Sequence, residues 1–442
     1  MKLLFTTLIL LFFFTSSAKA EPIIRDTELE VTIRMIANPI FKAAGYKPED
    51  IQIYIVNNPE INAYVSGGRN MFIHTGLLTV ARDPNMLMGV IAHETGHIYG
   101  GHLFKGEEEA KNSVVKATAG YMLGLAAAVA GSPQAAAAIV SGTQQVVGRQ
   151  SLQHSRGNED AADNSGMEFL DKGGYSSKGM LDVLQVLYGK EISMYGEINP
   201  YTLTHPLSRD RIEHVRAHLE KSSLKGKVLS SGITAFYDRS IVKLDAFLES
   251  TEKTLKKYPS NDNSVNARYA RSIAYYKIPD LQKSIGEIDS LIKQFPKDPF
   301  FIELKGQILF ENGRVVEAIP CYEKSKSLLQ NAALFKIQLA TAQIASEKEA
   351  YLKPAIVNLE QSLHTERYNS FAWNQLGVAY GRLGELDMSN FALAQEAILK
   401  GDKEGAKRFI RIARQTSSPG STVDLRLKDL ENSMADSKKE KK

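Results

Sequence analysis

Residues His93-Glu94-Thr95-Gly96-His97 constrain this chain more than any other feature. Two histidines four positions apart on a helix stand on one face, one turn apart, so both imidazoles reach a single ion. The preceding run, Met86-Leu87-Met88-Gly89-Val90-Ile91-Ala92, is apolar and predicts a buried helix, which Gly100-Gly101 ends. Glu94, between the pair, is placed to hold and deprotonate a water at the metal. Two histidines are half a site. A catalytic zinc takes three protein ligands and keeps one position open, so the fold must bring a further donor to this helix.

The spacing narrows where that donor lies. A metzincin would carry its third histidine at the position held by Leu103. His102 misses it by one and, on a continued helix, points away from the pair. Glu107, Glu108 and Glu109 would sit more than two turns from His97. No acid follows between Lys111 and Asn158 until Glu159, in Asn158-Glu159-Asp160-Ala161-Ala162-Asp163. Glu159 and Asp163 share a helix face, so Glu159 can ligate while Asp163 accepts a hydrogen bond from a ligand imidazole and fixes its tautomer. Asp160 reads as a solvated acid, and Ala161 and Ala162 as the small residues that let this helix approach the first. The residues alone leave open that Glu159 is itself an ordinary acid at a helix start.

His-Glu-x-x-His followed by Glu-x-x-Ala-Asp resembles the HtpX-like and CAAX-prenyl-protease-like zinc metallopeptidases, a gluzincin group. Asn62-Ala63-Tyr64-Val65, Gly67-Gly68 and Met71-Phe72-Ile73-His74-Thr75-Gly76-Leu77-Leu78 are similar to that group's strand pair before the zinc helix. Thr204-His205-Pro206-Leu207, with Arg209 and Arg211, resembles its His-Pro segment. The resemblance implies one zinc ion per chain, held by His93, His97 and Glu159, with Glu94 as general base. Three roles stay open for His205: a fourth zinc ligand that keeps the protease latent, an oxyanion-stabilising group in the cleft, or a structural histidine before Pro206. The resemblance also implies that substrate adds as a further strand to an edge strand over the zinc helix, read here as Asn70 to Thr75. Specificity should then be broad and favour extended, unfolded segments.

The N-terminus has the build of an export signal. A positive start at Met1-Lys2 precedes an apolar run too short to span a membrane, and Ser16-Ser17-Ala18-Lys19-Ala20 follows with a small-x-small cleavage pattern. Cleavage after Ala20 is expected. Cys321 is the single cysteine, so an oxidising compartment offers this chain no internal disulfide, and it reads as a small buried residue of a repeat helix. A net charge of +4 over 442 residues gives no reason to invoke nucleic acid. Between the zinc motifs, Val114 to Val147 is rich in Ala and Gly. It reads as a helical hairpin turning at Gly131-Ser132-Pro133, either packed inside or in peripheral contact with a membrane or partner; a single membrane span fits its length but is poor by composition.

Past residue 220 the pattern changes. Trp373-x-x-Leu376-Gly377-x-x-Tyr380, with Gly384, is the tetratricopeptide (TPR) pattern. Stepping back by about 34 residues, with three inserted in the turn Ser346 to Lys353, gives Ala340, then Gly306, then Ser272. Gly401 to Ala406 begins a final helical hairpin. Stacked helix pairs bury a continuous core and leave a concave surface for peptides or proteins.

The expected fold is therefore mainly α with a small β-sheet in a zincin-like α+β protease domain, followed by an all-α TPR superhelix. The divisions read as a signal peptide over 1–20, the protease over 21–220, a linker and first helices over 221–260, repeats over 261–420, and a helix end with charged tail over 421–442. An export signal joined to C-terminal repeats narrows the resemblance to a periplasmic branch. That branch implies degradation of misfolded or stalled outer-membrane proteins beside the β-barrel assembly machinery. The alternative is a chaperone or scaffold for the same clients, with a mostly latent site.

Overall fold

The computed structural model describes residues 22–102, 156–193 and 205–439. The predicted signal peptide, Glu107 to Glu109, the Ala/Gly-rich stretch and Thr204 lie outside them. The N-terminal half is a mixed four-stranded sheet packed on helices, and the C-terminal half is helical throughout.

The sheet is formed by β1 (Ile23–Ile24), β2 (Gln52–Val56), β3 (Ala63–Ser66) and β4 (Asn70–His74), in the order β1-β2-β4-β3. Hairpin β3–β4 turns through Gly67 and Gly68 at φ +56° and +90°, a conformation that suits glycine. Strand β4 pairs with β2 on one side and β3 on the other, and it ends at His74, where helix α2 (Thr75–Val80) begins. The expected edge strand, Asn70 to Thr75, is thus interior. Among the described residues, the edge beside the zinc-motif helix is β3, its hairpin partner.

Helix α1 (Thr27–Ala43) and helix α3 (Pro84–Gly100) pack together against this sheet. Asp83 caps α3 by accepting from the Asn85 N–H, and Pro84 opens it. Nearly every α3 residue is buried, as an all-round apolar helix demands. Helix α4 follows at 156–173, then α5 (Lys178–Ser193) and α6 (Arg209–Lys221). Glycines let these helices meet backbone to backbone: a Cβ on Gly179 would lie 1.9 Å from the Asn85 carbonyl oxygen, and one on Gly96 2.5 Å from that of Ala162. On α4 the close approach uses Ala162 and Gly166, while Ala161 faces solvent, against expectation.

Helix α7 (Ser231–Leu248) joins the halves. Tyr237, Ile241 and Leu244 belong to the core around α1 and α3, whereas Val242 and Ala246 belong to the first repeat core. The Tyr237 hydroxyl donates to the Ala81 carbonyl at 2.6 Å, and Arg239 bridges Glu28 of α1 to Asp298, each at 2.6 Å. Lys243, almost wholly buried, pairs with Asp26 at 2.6 Å. Farther along, Arg25 grips Glu366 with two hydrogen bonds of 2.7 and 3.0 Å.

The repeat helices pair as Val265–Lys277 with Leu281–Gln294, Pro299–Glu311 with Val315–Leu328, Ala333–Ala345 with Leu352–Leu363, and Ser370–Arg382 with Leu386–Leu399. The four register positions mark the close crossings. Ser272 and Ser284 exchange hydroxyl-to-carbonyl bonds at 3.0 and 2.8 Å, Gly306 abuts Tyr322, Ala340 is fully buried, and Gly377 abuts Leu393. Cys321 is only half-buried, because Gly306 admits its Cβ at the crossing but the rest of its helix face is open. Helix Lys403–Thr416 and helix Thr422–Lys439 close the array. The latter buries Val423, Leu427 and Leu430 and continues into the charged run read as a tail.

Candidate active site

Helix α3 presents His93, Glu94 and His97 to helix α4, which presents Glu159 and Asp163 from one face, and the His-Pro segment before α6 adds His205. All six side chains are buried. His93, His97, Glu159 and His205 each offer one donor atom, and these atoms lie within 4.8 Å of one another. Asp160 stands outside, exposed.

The separations fit one small cation. His93 Nε2 lies 3.0 Å from His97 Nε2, 3.3 Å from Glu159 Oε2 and 3.3 Å from His205 Nδ1. His97 Nε2 is 3.3 Å from Glu159 Oε1, and His205 Nδ1 is 3.2 Å from the same oxygen. Four ligands placed tetrahedrally at zinc-like distances would stand about 3.3–3.4 Å apart. The chemistry agrees, because three imidazoles and a carboxylate are a donor set that suits zinc.

The surroundings fix each donor. Asp163 Oδ1 is 2.8 Å from His93 Nδ1, the ring nitrogen facing away from the cluster. Arg211, itself buried, donates to both Asp163 oxygens at 2.6 and 2.9 Å and pairs with Glu159 at 2.8 Å. It also donates to the Pro206 carbonyl at 3.1 Å, tying the His-Pro segment to the two acids. His102 Nδ1 lies 2.9 Å from His97 Nδ1.

Charge follows from these contacts. Burial would lower the His93 pKa, but hydrogen bonds to Asp163 and Glu159 override it and push it up to about 10. Burial pushes His97 down to about 3, the carboxylate of Glu159 only partly opposing it. Burial would raise both acids. Hydrogen bonds from His205, His93 and His97 instead hold Glu159 well below the usual carboxylate range, and those from His93 and Arg211 hold Asp163 at about 2. Glu94 moves the other way: burial raises its pKa, with His205 and His93 opposing, and neither of its oxygens makes a hydrogen bond among the described residues. Glu94 Oε1 faces His205 Nε2 at 3.5 Å.

Two contributors escaped the sequence reading. Arg211 was visible only as part of the His-Pro pattern, and its signal is an arginine six residues beyond His205, which the start of α6 brings back to the Pro206 carbonyl. His102 was set aside on the assumption of a continued helix. Gly101 instead adopts φ +62°, and the chain turns back toward His97.

The profile of peptidase family M48 matches residues 25–219. A beta-barrel assembly-enhancing protease of Yersinia pestis is 25% identical over 403 residues, covering 88% of this chain and 80% of that protein. The protein of the same name in Escherichia coli (strain K12) is 23% identical over 423 residues, covering 92% and 82%. Metalloprotease LoiP of Escherichia coli (strain K12) is 24% identical over 209 residues, covering 45% of this chain and 74% of its own. Among solved structures, the TPR protein YrrB matches over 41% of this chain and 98% of its own, at 15% identity and a TM-score of 0.30.

Proposed function

We propose that the chain, whose residues 25–219 match the profile of peptidase family M48, is a zinc-dependent endopeptidase of the periplasm that degrades misfolded or stalled outer-membrane proteins. The observation that carries the chemistry is the convergence of His93, His97, Glu159 and His205 beside the buried carboxylate of Glu94, whose oxygens make no hydrogen bond among the described residues. The relatives carry the rest of the reading, since those spanning the chain are named for β-barrel assembly.

His93, His97 and Glu159 would hold the zinc, with Asp163 and Arg211 fixing their orientation. Zinc in such a site supplies Lewis acidity toward a carbonyl and lowers the pKa of water. Glu94 takes the proton of the attacking water and returns it to the leaving nitrogen. Its raised pKa suits both halves of that transfer. Substrate pairs with the outer edge of β3, Ala63–Ser66, which packs on α3. Backbone pairing is indifferent to side chains and selects extended chain. The repeats bind clients or dock the protein on the barrel-assembly machinery.

One observation favours a second reading. His205 Nδ1 lies among the donor atoms of His93, His97 and Glu159, where it would take the position that a catalytic zinc otherwise keeps for water. A chaperone or scaffold with a mostly latent site follows if that position seldom opens. Incubating the full chain with an unfolded outer-membrane β-barrel protein, beside Glu94→Gln, tests the two. Cleavage by the wild type alone supports the peptidase. Suppression of client aggregation by both, without cleavage, supports the scaffold.

A further inference from the structure

We propose that His102 is the positioning residue for His97, and that Gly100-Gly101 is the turn that delivers it. The proposal rests on the zinc reading above and adds a residue to it.

A helix continued past Gly100 would carry residue 102 away from the cluster. Gly101 breaks the progression at φ +62°, a backbone conformation that L side chains rarely adopt. Gly100 supplies the space: a Cβ there would lie 2.2 Å from His102 Nε2. The imidazole of His102 consequently folds back over the last turn of α3. It is buried, its ring centre is 5.0 Å from that of His97, and the two planes meet at 78°. A glycine pair that merely ended a helix would need neither the inward ring nor the missing Cβ at the first position.

The atoms define the role. His97 Nε2 faces His93 Nε2 and Glu159, while its other nitrogen, Nδ1, faces His102 Nδ1 at 2.9 Å. A neutral imidazole has one ring proton. For Nε2 to present a lone pair to an ion, that proton must sit on Nδ1, and a hydrogen bond at 2.9 Å then requires His102 Nδ1 to accept it. His102 in turn carries its own proton on Nε2. The contact therefore selects the metal-binding tautomer of His97 and sets its ring plane. His102 is not a fifth ligand, since it stands on the far side of His97 and outside the group of four. Asp163 does for His93 what His102 does for His97, with one difference. A carboxylate strengthens the basicity of its histidine, whereas a neutral imidazole acceptor orients without adding charge.

The test uses the full chain and measures zinc affinity by competition with a chromophoric chelator, together with the melting temperature of each zinc-free protein. His102→Leu keeps bulk and removes the acceptor. His102→Asn places an amide oxygen about where Nδ1 lies. Gly101→Ala leaves every imidazole present and disturbs only the turn. The expected result is one zinc per chain throughout at saturation, with affinity weakened about 10- to 100-fold in His102→Leu and Gly101→Ala and restored in His102→Asn. Affinity unchanged in His102→Leu overturns the proposal, as does a His102→Asn protein as weak as the leucine variant. If zinc-free His102→Leu does not fold, Gly101→Ala decides by the same criterion. A wild type that binds no zinc overturns the site reading itself, a result distinct from one zinc bound with no dependence on residue 102.

Discussion

Replacing Asp163 by alanine in the metal-free protein should loosen the α3–α4 contact by about 3 kcal/mol, a value that two estimates bracket. The first is linkage. The Asp163 carboxyl is held near 2 against a reference of 3.8, burial opposing and the His93 and Arg211 hydrogen bonds prevailing. That difference is worth about 2 kcal/mol at neutral pH. The second is truncation of a buried ion pair, which costs roughly 3–5 kcal/mol when the partner is stranded. Arg211 would keep Glu159 at 2.8 Å and the Pro206 carbonyl at 3.1 Å, so the low end applies. The assay must report on this half of the chain, and the single tryptophan, Trp373, lies in the repeats. Amide hydrogen exchange of peptides covering 84–100 and 156–173 serves, with Trp373 fluorescence as an internal control. Exchange there should accelerate about 100-fold while the Trp373 transition stays put. A depressed carboxylate pKa contributes stability that is complete above 3.8 and disappears as pH falls through 2, so the wild-type advantage should shrink below pH 4. Unchanged protection in both helices at pH 7 would refute this reasoning about the buried pair.

Further outcomes follow from the same geometry. Glu94→Gln should retain one zinc by mass spectrometry and lose cleavage of an unfolded substrate by about 10²- to 10⁴-fold. Zinc uptake at pH 7 should release about one proton per ion, because His93 is protonated up to about 10 in the metal-free cluster while His97, pushed down to about 3, is already neutral. Calorimetry in buffers of different ionisation enthalpy measures that number, and zero release would contradict the assignment. His205→Ala should raise cleavage several-fold if the fourth corner restrains the site, and no rise would speak against latency. Lys243→Met would leave Asp26, Glu28 and Glu303 without their shared cation, lowering stability at the junction by roughly 3–5 kcal/mol. Exchange across 231–248 reads that change.

The zinc-motif helix was legible because its constraints are local: apolar flanks, a four-residue histidine spacing and a glycine stop. Glu159 and Asp163 were legible because the stretch between Lys111 and Asn158 holds no other acid to compete. The repeat register was legible for a similar reason, since Ser272, Gly306, Ala340 and Gly377 are all small residues buried within the helix pairs. What was hidden depended on pairing across the chain. Nothing in Asn70–His74 says that β2 lies on its far side, so the edge was assigned to the wrong strand of the hairpin. Helix α7 falls in the stretch read as a linker and first helices, and nothing local to it says that its Tyr237 and Ile241 fill the core around α1 and α3. His102 was lost to one backbone angle, which periodicity cannot register.

X-ray absorption at the zinc edge of the zinc-loaded full chain tests the central claim most directly. The account predicts one zinc with four nitrogen or oxygen neighbours at about 2.0–2.1 Å and no sulfur, with the outer-shell scattering of one imidazole lost and a water oxygen in its place in His205→Ala. A folded protein that takes up no zinc, or a spectrum indifferent to replacement of His93, would contradict it.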